Sequence, residues 1–145
     1  MIRLDDVRGQ IEVSVPALAG RIEGVGAFTP MIERGQVPQV TPAAFVLLGG
    51  LAGGAADAGA GIFRQAFAET VTVVIADRVA ADRQGAAGFD EITPIVRDVI
   101  MAVVGWAPDD AVGVFTLGQA ELVGSLNGTV IFEIRFNLDD QLRKA

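Results

Sequence analysis

The side chains best suited to chemistry in this chain are four acidic pairs: Asp5-Asp6, Asp90-Glu91, Asp109-Asp110 and Asp139-Asp140. Paired carboxylates can hold magnesium or share acid–base work. Each pair here reads as a helix start or a turn, where Asp satisfies backbone amides and keeps the surface wet. A glycosidase would need two carboxylates facing across a sugar cleft with aromatic platforms, and one Trp with no Tyr argues against such a cleft. The rest of the catalytic repertoire is missing. There is no His and no Cys, and the only serines are Ser14 and Ser125. Neither a Ser–His nor a Cys–His nucleophile can be built, nor a zinc or iron site that depends on His or Cys. No catalytic, metal or cofactor residues are therefore expected.

The glycine-rich stretch Gly49 to Gly61 is the other feature that invites a chemical reading. A phosphate-binding loop would end in Gly-Lys-Ser/Thr, but the only lysine is Lys144. Gly59-Ala60-Gly61 runs into Ile62, Phe63 and Arg64, so the dinucleotide spacing G-x-G-x-x-G is absent as well. The stretch is expected to be a long loop joining two strands, and in its functional version a loop that orders on a partner.

The elements that would carry these residues follow from periodicity. Val7, Ile11, Val15 and Leu18 recur at helical spacing over residues 4 to 18, with Asp5 or Asp6 as cap and Pro16 and Gly20 as stops. Arg21 to Phe28 reads as a short strand. Pro30 to Gly35 reads as one or two helical turns capped by Thr29 and stopped by Gly35. Ala43 to Leu48 is a continuous apolar run, the pattern of a strand buried on both faces. Ile62 to Asp77 is the longest strand. Phe63, Phe67, Val71, Val73 and Ile75 share one parity, Gln65 and Glu69 interrupt it, and Arg64, Arg78 and Arg83 flank the element. Phe89, Ile92, Val96, Val99, Val103 and Trp106 form a helical stripe. Pro94 suggests that the helix proper begins at Thr93. Trp106 reads as a core plug.

Asn127-Gly128 is a strong hairpin signal between Val112–Val123 and Thr129–Leu138. Val130, Phe132, Ile134, Phe136 and Leu138 alternate onto one face. A strict two-residue turn would set Glu121 and Gln119 opposite that row. A one-residue bulge would set Leu122 and Ala120 there instead, and is preferred. The fold class expected is α+β: one domain over residues 1–145, with a mostly antiparallel sheet, helices packed on one face and a C-terminal hairpin.

Composition bounds the partners. Hydrophobic residues make up 51% and charged residues 20% of 145, so apolar surface should remain for an oligomer or partner. A net charge of −7 argues against binding nucleic-acid phosphates or an anionic membrane. The opening Met-Ile-Arg-Leu-Asp-Asp lacks the basic and apolar regions of a signal peptide. Gly35 to Ala56 carries no charge, but its prolines and paired glycines argue against a membrane span.

Several phrases together carry a family likeness. They are Pro38-Gln39-Val40-Thr41-Pro42-Ala43-Ala44-Phe45-Val46-Leu47, the Ala/Gly stretch ending in Phe63-Arg64-Gln65, Glu69-Thr70-Val71-Thr72-Val73-Val74, and Val104-Gly105-Trp106-Ala107-Pro108, followed by the closing strand after Asn127-Gly128. Over most of its length the chain resembles the tail terminator (tail completion) proteins of long-tailed phages, prophages and phage-like gene transfer agents. The resemblance implies a non-enzymatic virion protein, made in the bacterial cytoplasm and located at the head–tail junction. It implies a hexameric ring that caps the head-proximal end of the tail tube, stops its polymerisation and meets a head-completion protein. DNA would pass through the lumen unread.

The long strand Ile62–Asp77 and neighbouring sheet edges are then expected to join subunits. Candidate interface residues are Ala52, Gly53, Gly54, Asp57 and Gly59 in the glycine stretch, with Phe63, Arg64, Gln65, Phe67 and Glu69 beside it. The alternative is a small α+β binding module or subunit of a bacterial complex unrelated to phage. A carboxylate-dependent hydrolase is a third, weaker reading.

Overall fold

The computed structural model describes residues 1–79 and 86–145, and of residues 86–89 the backbone alone. Arg83 lies outside the described residues. The elements are α1 (Leu4–Ser14), a 3-10 turn (Pro16–Leu18), β1 (Ile22–Glu23), α2 (Val25–Arg34), β2 (Ala43–Asp57), β3 (Phe63–Arg78), α3 (Ala86–Val103), β4 (Phe115–Leu126) and β5 (Thr129–Lys144). The strands form one sheet in the order β1-β2-β3-β5-β4. β1 is parallel to β2, and the other neighbours are antiparallel, as the expected α+β class requires.

Helices α1 and α3 cover one face of the sheet. Val7 and Ile11 from α1, and Ile92, Val96, Val99 and Val103 from α3, bury against Val71, Val73, Ile75, Ile134, Phe136 and Leu138. This is the helical stripe meeting the period-2 rows of β3 and β5. Trp106 plugs the edge of this core, stacked on Phe115 with ring centroids 5.8 Å apart. Helix α2 adds a smaller cluster on the opposite face, where Phe28 and Met31 pack with Phe45, Val74, Ala76 and Ile131.

Three local readings are corrected. Val25 to Phe28 is helix, not strand: Phe28 and Met31 share a helix face at spacing three. The Thr29 hydroxyl caps nothing; it donates to Val25 O, one turn back, at 3.0 Å. Gly35 does end this helix, at φ +65°. Helix α3 begins at Ala86, and Pro94 lies inside it on an exposed position rather than at its start. Finally, Gly49–Gly61 is mostly strand. β2 runs to Asp57, and the turn is confined to the residues around Gly59–Gly61. Gly and Ala have poor strand propensity, but cross-strand pairing overrides it. At Gly49 the pairing demands glycine, since a Cβ would sit 2.7 Å from Thr70 Cγ2 and 2.9 Å from Thr70 O.

The C-terminal hairpin has the two-residue Asn127-Gly128 turn, with Leu126 opposite Thr129. A bulge at Val123 then sets Leu122 opposite Phe132 and Ala120 opposite Ile134, the preferred register. A second bulge, at Gly118, brings Leu117 and Phe115 opposite Phe136 and Leu138. β5 continues six residues past Leu138 and pairs with β3 along the whole of β3, from Arg78↔Thr129 to Phe63↔Lys144.

Candidate interface surfaces

Because β3 and β5 outrun the helices, part of the sheet projects as an arm. Its three paired strands are the end of β2 from Leu51, the start of β3 up to Glu69, and the end of β5 from Leu138, with one bulge in β2 between Gly53 and Ala56. No helix covers its tip, and residues 51–64 are exposed. The sequence-derived candidates divide here. Ala52, Gly53, Gly54, Asp57, Gly59, Phe63 and Arg64 lie together on the exposed arm. Asp57 closes the tip, its Oδ1 accepting the Gly59 amide at 3.0 Å. Gln65 is half-buried and donates to Gly54 O at 3.3 Å. Phe67 and Glu69 are buried inside the subunit, Glu69 completely. Leu51, Ile62 and Phe63 leave an apolar trace on the arm, each 37–44% exposed.

Glu69 has an internal task that its place among the candidates did not anticipate. Its carboxylate accepts the amides of Ile2 and Arg3 at 2.5 and 2.6 Å, fixing the chain just ahead of α1. A carboxylate there also complements the positive end of the helix dipole. Neither Asp5 nor Asp6 caps α1, whose N-cap position is Arg3; Glu69 from a distant strand ties down the two residues ahead of the helix instead. Ile2 is held at φ +58°, a conformation a β-branched residue rarely adopts. Arg3 completes the clamp. Its guanidinium lies 3.5 Å from the Asp140 carboxylate and donates to Asp109 O at 2.9 Å.

Asp139-Asp140 lies in neither a turn nor a helix start, but inside β5. Asp140 is buried, and burial pushes its pKa up. The amides of Gln141 (2.8 Å) and Val112 (3.2 Å), together with Arg3, outweigh that push and hold the carboxyl below its ordinary value. Asp77 goes the other way: burial first, then the nearby charge of Glu91, raises it. The sequence signal for the clamp was the pair Gln65 and Glu69 standing on the apolar parity of β3. Arg3 and Asp140 gave no signal, because the contact spans almost the whole chain.

On the face opposite α1 and α3, the middle of the sheet is a shallow polar depression. It is lined by Thr70, Thr72, Gln119, Glu133, Arg135 and Asn137, where Gly49 and Gly118 supply no side chain. These groups pair among themselves: Thr70 Oγ1 with Asn137 Oδ1 at 3.0 Å, and Arg135 Nε with Glu133 Oε1 at 2.7 Å. Among the described residues no three His, Cys, Asp or Glu side chains gather as a metal site. Among the same residues, no helix is long and apolar enough to cross a membrane.

A projecting arm and a polar, self-paired sheet face are thus the surfaces the subunit offers. The family model described as phage tail terminator protein matches residues 4–145. The chain belongs to that family and is a structural protein of phage tails, not an enzyme. Among solved structures it is similar to a chain from "Virion of native gene transfer agent (GTA) particle", with 14% identity, 98% of this chain and 100% of that chain covered, and a TM-score of 0.52. At that identity the likeness is one of fold. No curated protein matches the sequence.

Proposed function

We propose that the protein forms a hexameric ring on the head-proximal end of the tail tube, at the head–tail junction. The ring ends tube polymerisation and offers its other face to the head-completion protein. Family membership supports this reading, and the arm is the observation that carries it. Three paired strands keep the arm in shape, while Leu51, Ile62 and Phe63 on it stay partly open to solvent. Such a surface fits a protein partner better than bulk water. The net charge of −7 and the self-paired polar sheet face suit a wall past which DNA moves without sticking.

Electron microscopy of the purified protein, alone and with its own tail tubes, tests the proposal. Rings in solution, or a cap at one end of tubes that stop growing, are the expected result. Monomers that never associate with tubes would overturn it. Deleting Ala52–Ala60 should leave the body folded, since these residues are exposed, but weaken docking to the tube. Normal tail length and particle yield in that variant would remove the arm from the docking role.

A further inference from the structure

Rings need a head-to-tail contact between two different surfaces of one subunit. The sheet supplies a candidate pair at its two edges. β3 itself offers no free edge, because β2 and β5 flank it, so edge pairing falls to the neighbouring sheet edges. On one side β2 is covered by β1 only at Ala44 and Phe45, so its edge is open beyond Val46. On the other side β4 pairs with β5 alone.

Open strand edges are normally guarded by charges or proline. Neither edge is guarded in this way: β2 has no charge before Asp57 and β4 carries only Glu121, and both lack proline. Each edge does carry two bulges, at Gly49 and Gly54–Ala55 in β2 and at Gly118 and Val123 in β4. Bulges twist an edge away from indiscriminate pairing and pin the register of a correct one. Here they leave matching windows of regular strand, Gly50–Gly53 and Gln119–Leu122. Polarity also matches. β2 and β5 run one way, β3 and β4 the other, so β4 of one copy would meet β2 of the next in antiparallel fashion.

We infer that β2 of one copy adds to β4 of the next, with Leu51 opposite Leu122. This rests on the ring reading above and names the surface that closes the ring. Both leucines project from the face that carries α1 and α3, since Leu51 lies beside Glu69 and Leu122 beside Phe132. Both are exposed, at 44% and 41%, and each would cover the other as a cross-strand apolar pair. Leu51 sits at the level of Glu69 on β3, and Leu122 at the level of Ile75. Successive copies therefore slip by about 20 Å along the strands. Across four strands spaced about 4.8 Å apart, that slip tilts the strands by about 45°, at the upper end of the usual range for closed barrels.

The chain has no Cys, so disulfide trapping is free of background. In the variant carrying Leu51→Cys and Leu122→Cys, oxidation of the assembled protein should give a ladder of linked subunits that reductant collapses. Opposed strand residues are within disulfide reach. Either single variant should give no ladder. Both positions are exposed, so folding should survive, and circular dichroism checks it. Rings or capped tubes that assemble without the ladder would overturn the edge pairing and leave the ring reading standing. Absence of any assembly, with the variants folded and the wild-type protein also monomeric on tubes, would overturn both.

Discussion

Replacing Glu69 with Ala should loosen the N-terminal end of α1 from the sheet. The wild-type carboxylate is fully buried and accepts two main-chain amides at 2.5 and 2.6 Å. Hydrogen bonds to a charged group contribute about 1.5–3 kcal/mol each. If residues 1–3 detach and their amides return to water, the loss should be about 2 kcal/mol. If α1 stays docked over two unsatisfied amides, it should rise to about 4 kcal/mol. For a chain of this size, about 3 °C of melting temperature goes with each kcal/mol, so Tm should fall by about 6–12 °C. Urea denaturation should show a lower midpoint at unchanged slope. Amide exchange should speed up at Val7, whose N–H bonds Arg3 O at 3.0 Å. Glu69→Gln keeps the volume but turns an amino group towards one of the amides, so it should fall between the two. An Ala variant within about 0.5 kcal/mol of wild type, with Val7 still protected, would refute the clamp.

Asp140→Asn should destabilise the protein at neutral pH. Because the folded pKa of Asp140 is lowered, its contribution is complete above the unfolded value near 3.9 and is lost as pH falls through the folded pKa. The gap between variant and wild type in urea should therefore close in strong acid. Asp77→Asn should behave in the opposite sense. Its raised folded pKa means that the ionised form opposes folding, so the variant should gain stability at neutral pH. That gain should shrink as pH falls through the raised pKa of the wild type, which a pH series of midpoints would show. Phe132→Asp sets a charge against the main core and should cost at least about 3 kcal/mol, read as insolubility or lost cooperative melting.

How much was legible depended on whether a signal was local. The turn at Asn127-Gly128, the apolar row of β5 and the stripe from Ile92 to Val103 are short-range patterns, and all three stand in the structure. The bulge at Val123 was legible because the strict register would have put Glu121 against an apolar row. The glycine stretch misled because composition describes a chain without neighbours, whereas Gly50–Asp57 is ordered by pairing with β3. The same holds for the site. Sequence position alone could mark Ala52 to Arg64 as exposed, but the burial of Phe67 and Glu69, the latter under the residues ahead of α1, depends on tertiary packing. Open edges are a property of topology, and no residue pattern along the chain shows which strand ends up central.

The sheet order has a consequence for how the subunit is made. β3 and β5 are neighbours along the whole of β3, yet their partners are separated by roughly 50 to 80 residues of chain, with α3 in between. While the chain emerges from the ribosome, β3 can pair with β2 at once, but the backbone N–H and C=O groups of its other edge stay unpaired until β5 arrives. The β2–β3 hairpin is thus a sticky half-sheet during synthesis, and β5 shields its open edge. The subunit becomes competent to assemble only once β5 has been made, because the strand that completes the arm also protects the nascent chain from aggregation.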